Sequence, residues 1–429
     1  MVTPPAGAAL ARRLGTADAV VIGLGSMIGA GVFAAFTPAA RAAGGGLLVG
    51  LAVAAVVAYC NATSSAQLAA QYPTSGGTYV YGRERLGEWY GFIAGWGFLI
   101  GKTASCSAMA LTFASYAAPA GWARPVAVAA VVALASVNYR GVTRTARLTR
   151  VIVTVVLAAL AVVVAASVTG GAARLDRLGG WGDVLAGGWY GILQSAGLLF
   201  FAFAGYARIA TMGEEVREPA RTIPRAIVIA LLGALVVYVL VAVSILTVLG
   251  AAGVAASRAP LAAAVASGSW SWAGPIVRIG GAAAALGALL ALIAGIGRTS
   301  LAMARNEDLP GWLAAVHPVH RVPHHAEVAL AAAVSAIVLF ADLRGAIGFS
   351  SFGVLLYYLI ANVAALTQSG PDRRYPRALQ VVGGAACAVL VVTLPWRSIV
   401  GGLVVLTGGV GYRLWRLSRR DRRLRGAVT

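Results

Sequence analysis

The sequence predicts an all-α polytopic membrane protein, and three observations carry that prediction. Only 11% of the 429 residues are charged, against roughly 25% in a soluble globular protein. The apolar residues collect into runs of about 20, the length at which a helix crosses the hydrocarbon core. These runs are too long and too continuously apolar to be the alternating strands of a membrane barrel.

Taken in order between polar breaks, the runs predict twelve transmembrane helices. They cover residues 16–41, 46–71, 87–117, 122–139, 147–168, 189–212, 224–250, 273–304, 326–341, 345–368, 376–393 and 396–416. The shortest division lies at 341–345, where Asp342 and Arg344 make the turn. The basic residues then set the topology, because cytoplasmic loops carry the positive excess. With the N-terminus inside, 23 of the 34 basic residues fall in inner loops and the tail and 8 in outer loops. Lys102, Arg208 and Arg298 remain inside spans. This bias predicts an even number of spans with both termini cytoplasmic. It also accounts for the net charge of +20 without a nucleic-acid partner; the partner is the lipid bilayer. The first residues lack the compact apolar core and cleavage site of a secretory signal, so span 1 is expected to direct insertion.

Two spans are interrupted from within. Span 1 reads GLGSMIGAGVF over residues 23–33, with Gly23, Gly25, Gly29 and Gly31 in a stretch that ought to be a regular helix. Span 6 reads FFAFAGY over residues 200–206, flanked by Gly197 and Gly213. Glycine is the weakest ordinary helix former. Its use in span 1 fits either close packing through the Gly25–Gly29 pair or a planned break. Five helices separate the two starts, and matched interruptions in two halves point to a ligand site at their junction. Unwound backbone survives at membrane depth only when buried in protein or lining a cavity. A half-helix starting there offers amides to an anion, and one ending there offers carbonyls to an ammonium group. A free amino acid carries both charges.

The stretches GSMIGAGVF, FFAFAGYARIATMGEEVREPARTIPRAI (200–227) and RTSLAMARNEDLPGWLAAVHPVHRVPHHAEV (298–328) resemble signatures of the amino acid–polyamine–organocation (APC) permeases. They stand in that family's order and spacing, and the twelve-span layout covers nearly the whole chain. The resemblance implies an inverted five-plus-five repeat of the leucine-transporter type with broken helices 1 and 6. The first repeat would then occupy residues 1–168, the second 169–370, and spans 11–12 with the basic tail 371–429. It also implies a secondary active transporter of amino acids working by alternating access, or a carrier of polyamines, nucleobases or other small amines in the same fold. Carried over residue by residue, the amides of Gly29, Ala30 and Gly31 would hold the substrate carboxylate. The carbonyls of Met27, Phe201, Ala202 and Ala204 would receive its amino group. The Phe201 ring would gate the site, and Ser26, Ile28 and Gly205 would border it.

The chain also departs from the family pattern. Where many relatives carry an acidic residue after the span 6 break, it has Ala207 and Arg208; span 5 lacks the lysine of some proton-coupled members. Span 8 offers no hydroxyl between residues 280 and 297, so sodium coupling is disfavoured. Lys102, in the middle of span 3, is the notable charge, because a lysine there is costly unless solvated or paired. At helical spacing it shares a face with Cys106 and Met109. Lysine changes charge on burial more readily than arginine does, so Lys102 and Cys106 are the candidates for proton coupling and gating. Glu214 and Glu215, with Arg217 and Arg221, are read as an inner-gate network reaching Arg147 or Arg150. Asp18 is read as a helix-start residue complementing the dipole.

Other classes find no support. No span holds a histidine or the paired acids that membrane enzyme chemistry needs, and no repeated selectivity loop suggests a channel. The GAGVF stretch opens no soluble βαβ unit, so no dinucleotide is expected; neither a cofactor nor a metal is predicted. HPVHRVPHH (317–325) has no converging carboxylate or cysteine, and Cys60, Cys106 and Cys387 read as small apolar fillers. The expected location is the cytoplasmic membrane.

Overall fold

The structure is a computed structural model that describes residues 14–29, 31–74, 76–119, 121–141, 146–185 and 187–426. Its helices, in chain order, are α1 (Thr16–Ile28), α2 (Gly31–Ala34), α3 (Phe36–Ala43), α4 (Leu47–Gln71), α5 (Thr78–Leu86) and α6 (Glu88–Ala117). There follow α7 (Ala123–Tyr139), α8 (Ala146–Thr169), α9 (Trp181–Leu185), α10 (Gly188–Phe203), α11 (Ala207–Ala210) and α12 (Pro219–Ala256). The last third holds α13 (Pro260–Ala266), α14 (Gly274–Arg305), α15 (His324–Phe340), α16 (Leu343–Leu366), α17 (Arg377–Thr393) and α18 (Trp396–Gly426). No β-strand occurs among the described residues; one isolated bridge joins Leu14 to Val216.

Nine helical stretches among the described residues are long and apolar enough to cross a membrane, and α7, α15 and α17 are shorter apolar helices. Side-chain placement agrees with a lipid surround. Ile229, Leu232, Val236, Val239 and Leu240 of α12 lie 41–59% exposed. Their three-and-four spacing makes one apolar outer stripe, an arrangement too large for water to face. The chain is an integral membrane protein.

Local chemistry sets the helix ends. Pro219 opens α12, where its missing N–H costs nothing; Gly250, at φ 67°, kinks that helix near its end. The sharp turn between α15 and α16 works because the Asp342 carboxylate accepts from the Gly345 amide at 2.7 Å, capping α16. Three short helices, α5, α9 and α13, fall in segments that the apolar pattern leaves as loops. They are too short and too polar, or too small in side chain, to raise a span-length signal.

Inside the bundle α6 packs between α14 and α16, α4 against α10 and α12, and α1 against α12 and α8. Polar side chains buried between α4, α16 and α17 satisfy one another. Asn362 donates to Asn61 Oδ1 at 2.6 Å, Ser64 donates to Asn362 Oδ1 at 2.7 Å, and Asn61 donates to the Cys387 sulfur at 3.3 Å. Cys387 is therefore a member of a hydrogen-bonded cluster rather than the apolar filler expected, because Asn61 both donates to its sulfur and accepts from its thiol at 3.4 Å. Cys60 and Cys106 are buried free thiols.

Candidate functional site

The glycines of span 1 serve both readings left open above. Helix α1 ends at Ile28, Gly29 keeps right-handed angles (φ −49°, ψ −59°), and the helix resumes as α2 at Gly31. Ala30, expected to give an amide to the carboxylate, lies outside the described residues. A Cβ on Gly31 would stand 2.5 Å from Cα of Ala202, a separation that real Cβ atoms do not show. A Cβ on Gly205 would collide with the Ser26 carbonyl and the Met27 amide nitrogen. The two interruptions thus face and touch, each glycine making room for the backbone of the other segment. In the second segment the interruption is mild: α10 tightens into a 3-10 turn over Ala204–Tyr206 and continues as α11. Such a turn shifts the carbonyl pattern without unwinding the chain.

Buried hydroxyls and one ammonium hold the freed carbonyls. The Tyr238 hydroxyl lies 2.7 Å from the Met27 carbonyl oxygen and 2.9 Å from that of Ala202, and shares its single proton between them. The Ala204 carbonyl lies 3.5 Å from Lys102 Nζ and 3.5 Å from the Tyr358 hydroxyl, both of which donate to it. Lys102 is 8% exposed, sits 5.9 Å from the Phe98 ring centre, and forms no ion pair with a carboxylate among the described residues. Cys106, one turn further on, is fully buried beside it. The Ser26 hydroxyl turns back to the Ile22 carbonyl at 2.9 Å, and Phe201 is half-buried against the core. Met27 and Ile28 at 1%, Ala202 at 5% and Ala204 at 2% exposure show that the described part of the junction is buried.

Tyr238 and Tyr358 escaped sequence reasoning. The available signal was a hydroxyl in the middle of an apolar run, at VVYVL and LLYYLI. There a phenol must find a buried acceptor.

The inner charged cluster divides differently from the expectation. Arg208 pairs with Glu215 at 3.4 Å, while Arg150 pairs with Asp18 at 2.6 Å and not with Glu214 or Glu215. Asp18 also accepts from the Gly15 amide, so it caps α1 and anchors α8 together. The loop carrying Glu215 lies against the chain ahead of α1, where Leu14 N–H donates to the Glu215 carbonyl and Arg217 N–H to that of Leu14. The Arg147 side chain lies outside the described residues. His317, His320 and His324 gather around the Tyr139 ring, and no metal-ligating cluster occurs among the described residues.

A second polar centre joins α5, α18 and the turn that follows α14. Asp308 accepts from Tyr79 at 2.7 Å and from Arg83 at 2.9 Å, and pairs with the buried Arg413. Burial first, and the Asp308 carboxylate second, push the Tyr79 phenol up to about 12. Arg413 also stacks on Trp89 and Phe92.

Known proteins resemble this chain in sequence over nearly its whole length. The amino acid permease family profile matches residues 14–415. A Mycobacterium tuberculosis protein described as an uncharacterised transporter is 60% identical over 415 residues, 96% of this chain and 93% of its own. The branched-chain amino acid permease of Bacillus subtilis is 29% identical over 97% of this chain and 95% of its own. Cationic amino acid transporter 7 of Arabidopsis thaliana is 28% identical over 83% and 65%. Paired helix interruptions, buried polar backbone at their junction and a family match across both place the chain among the amino acid permeases of the APC superfamily, as a transporter and not an enzyme.

Proposed function

We propose that the chain is a secondary active amino acid carrier of the cytoplasmic membrane, with twelve spans in an inverted five-plus-five repeat and both termini inside. In this reading α7, α15 and α17 complete the set of spans, and the arrangement seen is a closed state of the alternating-access cycle. The observation that carries it is the Lys102 ammonium on the Ala204 carbonyl. A protein ammonium stands where the amino group of a substrate would bind, at the junction of the two interrupted helices. A lone carbonyl at 3.5 Å is a poor return for burying a charge with three N–H donors. The ammonium of a substrate can displace it.

The cycle then follows from the groups present. The substrate carboxylate takes the amides at Gly29, Ala30 and Gly31, where the short helix beyond adds its dipole. Its ammonium takes the Met27, Ala202 and Ala204 carbonyls, relieving Tyr238 and Lys102 of that duty. For Gly31 and Ala202 to separate enough to admit a ligand, α1–α2 must move against α10–α11. Glu215, Arg208 and the Leu14 contact hold the inner end until they do. Lys102 gives this movement its coupling proton; the absence of span 8 hydroxyls disfavours sodium.

Neutral side chains fit best, because Lys102 repels a cationic one and the neighbours are small or apolar. The Bacillus subtilis relative, named as a branched-chain amino acid permease, supports this choice. Counterflow in proteoliposomes with a panel of the twenty amino acids tests it. Neutral aliphatic amino acids should exchange, cationic ones should not, and silence across the panel with response to a polyamine or nucleobase would contradict the substrate class.

A further inference from the structure

Glu327 lies in the first turn of α15, 3% exposed, and its Oε2 has no hydrogen-bond partner among the described residues. Buried carboxylates are ordinarily paired or multiply hydrogen-bonded, and this one takes part in no ion pair among the described residues. Three elements surround it. Helix α14 presses on it from one side, where a Cβ on Gly297 would stand 3.3 Å from Glu327 Cγ. The exposed Arg298 beside it contributes the cationic charge that Glu327 feels. His324, one turn earlier on α15, turns an equally unpartnered Nδ1 inward. On the remaining side, between α7 and α15, opens a cavity of about 410 Å³.

The cavity has two distinct ends. Its lips include Val132 and Val328, apolar and 52% and 59% exposed. Its polar end is formed by Ser136, Tyr139, Arg140 and Glu327, with Arg140 at the exposed rim and Glu327 in the recess. An occupant must therefore be apolar in part, offer an anion to the rim and donate N–H groups to the recess. A purely anionic headgroup would set like charge against Glu327. A quaternary ammonium has no N–H to give.

We propose that the groove between α7 and α15 binds a membrane lipid with a phosphoethanolamine headgroup. Its ammonium donates to Glu327, its phosphate meets Arg140, and its chains lie along Val132 and Val328. The inference rests on α7 and α15 being membrane spans. Labelling Trp122→Cys and Phe340→Cys with an impermeant maleimide from outside the cell tests that reading by itself.

The experiment is native mass spectrometry of the purified full-length protein in an equal mixture of phosphatidylethanolamine, phosphatidylcholine and phosphatidylglycerol. Phosphatidylethanolamine adducts should dominate. Glu327→Gln should reduce their excess over phosphatidylcholine about tenfold, the worth of one charge-assisted bond. Ser136→Trp, which fills the groove from an exposed position and leaves Glu327 intact, should remove the preference too. Equal retention of the amine and choline lipids, preference for phosphatidylglycerol, or an undiminished preference in both variants would overturn the proposal. Displacement of the lipid by equimolar chain-free glycerophosphoethanolamine would overturn its lipid character.

Discussion

Tyr238 holds two carbonyls with one hydroxyl, on either side of the place where α1 meets α10. Replacing it with phenylalanine keeps the ring and its edge contact with Phe203 but leaves both carbonyls short of a donor. The expected cost is about 1–3 kcal/mol of stability, read as a lower Tm in detergent. Bound substrate should restore part of it, because its ammonium supplies the missing donor. Lys102 makes the opposite case. Lys102→Ala removes a charge buried at poor return, so the protein should be no less stable to heat, while pH-dependent uptake is lost. Uptake in liposomes across a pH series, with Tm measured beside it, separates this from a merely structural lysine; full pH-dependent uptake in the variant would exclude the role.

Among elements, the contact of α2 with α10 is the tightest constraint. Gly31→Val puts two methyl groups where even a Cβ would stand 2.5 Å from Ala202 Cα, so both substrate binding and Tm should fall. Gly29→Val meets mainly the Gly25 carbonyl of its own helix and, beyond 3.5 Å, Ala288. Because the Gly25 oxygen would stand 2.5 Å from the new Cβ, Gly29→Val should lose Tm along with binding. Binding retained in either variant that still folds would mean that the glycines serve packing alone. The α5 element carries a pH signature of its own. Tyr79 ionises near 10 when unfolded and is held neutral to about 12 when folded. Stability should therefore fall as pH rises from about 10 towards 12, because the unfolded chain releases this proton first. In Tyr79→Phe, alkaline thermal scans should lose that part of the slope.

At the scale of the whole molecule, a buried pair helps to fasten α18, beside Arg416 on the Glu307 and Leu309 carbonyls and Trp96 on that of Val405. Asp308→Asn leaves Arg413, which is 6% exposed, with only the exposed Glu88 as counter-charge, and should cost about 3–5 kcal/mol. Glu88→Gln, at a carboxylate 69% exposed that also meets Arg413, should cost no more than about 1 kcal/mol. Thermal melts of the two variants give the comparison. Much of this architecture was legible in the sequence. Apolar runs locate helices because lipid enforces length and internal hydrogen bonding, and GLGSMIGAGVF marks where the first of them stops. What stayed hidden was long-range pairing. Nothing near Arg413 in sequence names Asp308, nothing near Arg150 names Asp18, and Tyr238 looks like any aromatic in a span until Met27 and Ala202 arrive beside it. Periodicity reports which face a residue occupies and is silent about what the opposite helix brings to it.

We propose that the junction of α1–α2 and α10–α11 is an amino acid site held shut by Lys102. Counterflow of a labelled neutral aliphatic amino acid in proteoliposomes, comparing the native protein with Lys102→Ala at several pH values, tests it most directly. Accelerated exchange that rises and falls with pH is expected for the native protein, and exchange without that pH dependence, or none, for the variant. Counterflow absent for every amino acid, or unchanged in rate and pH profile without Lys102, would contradict it.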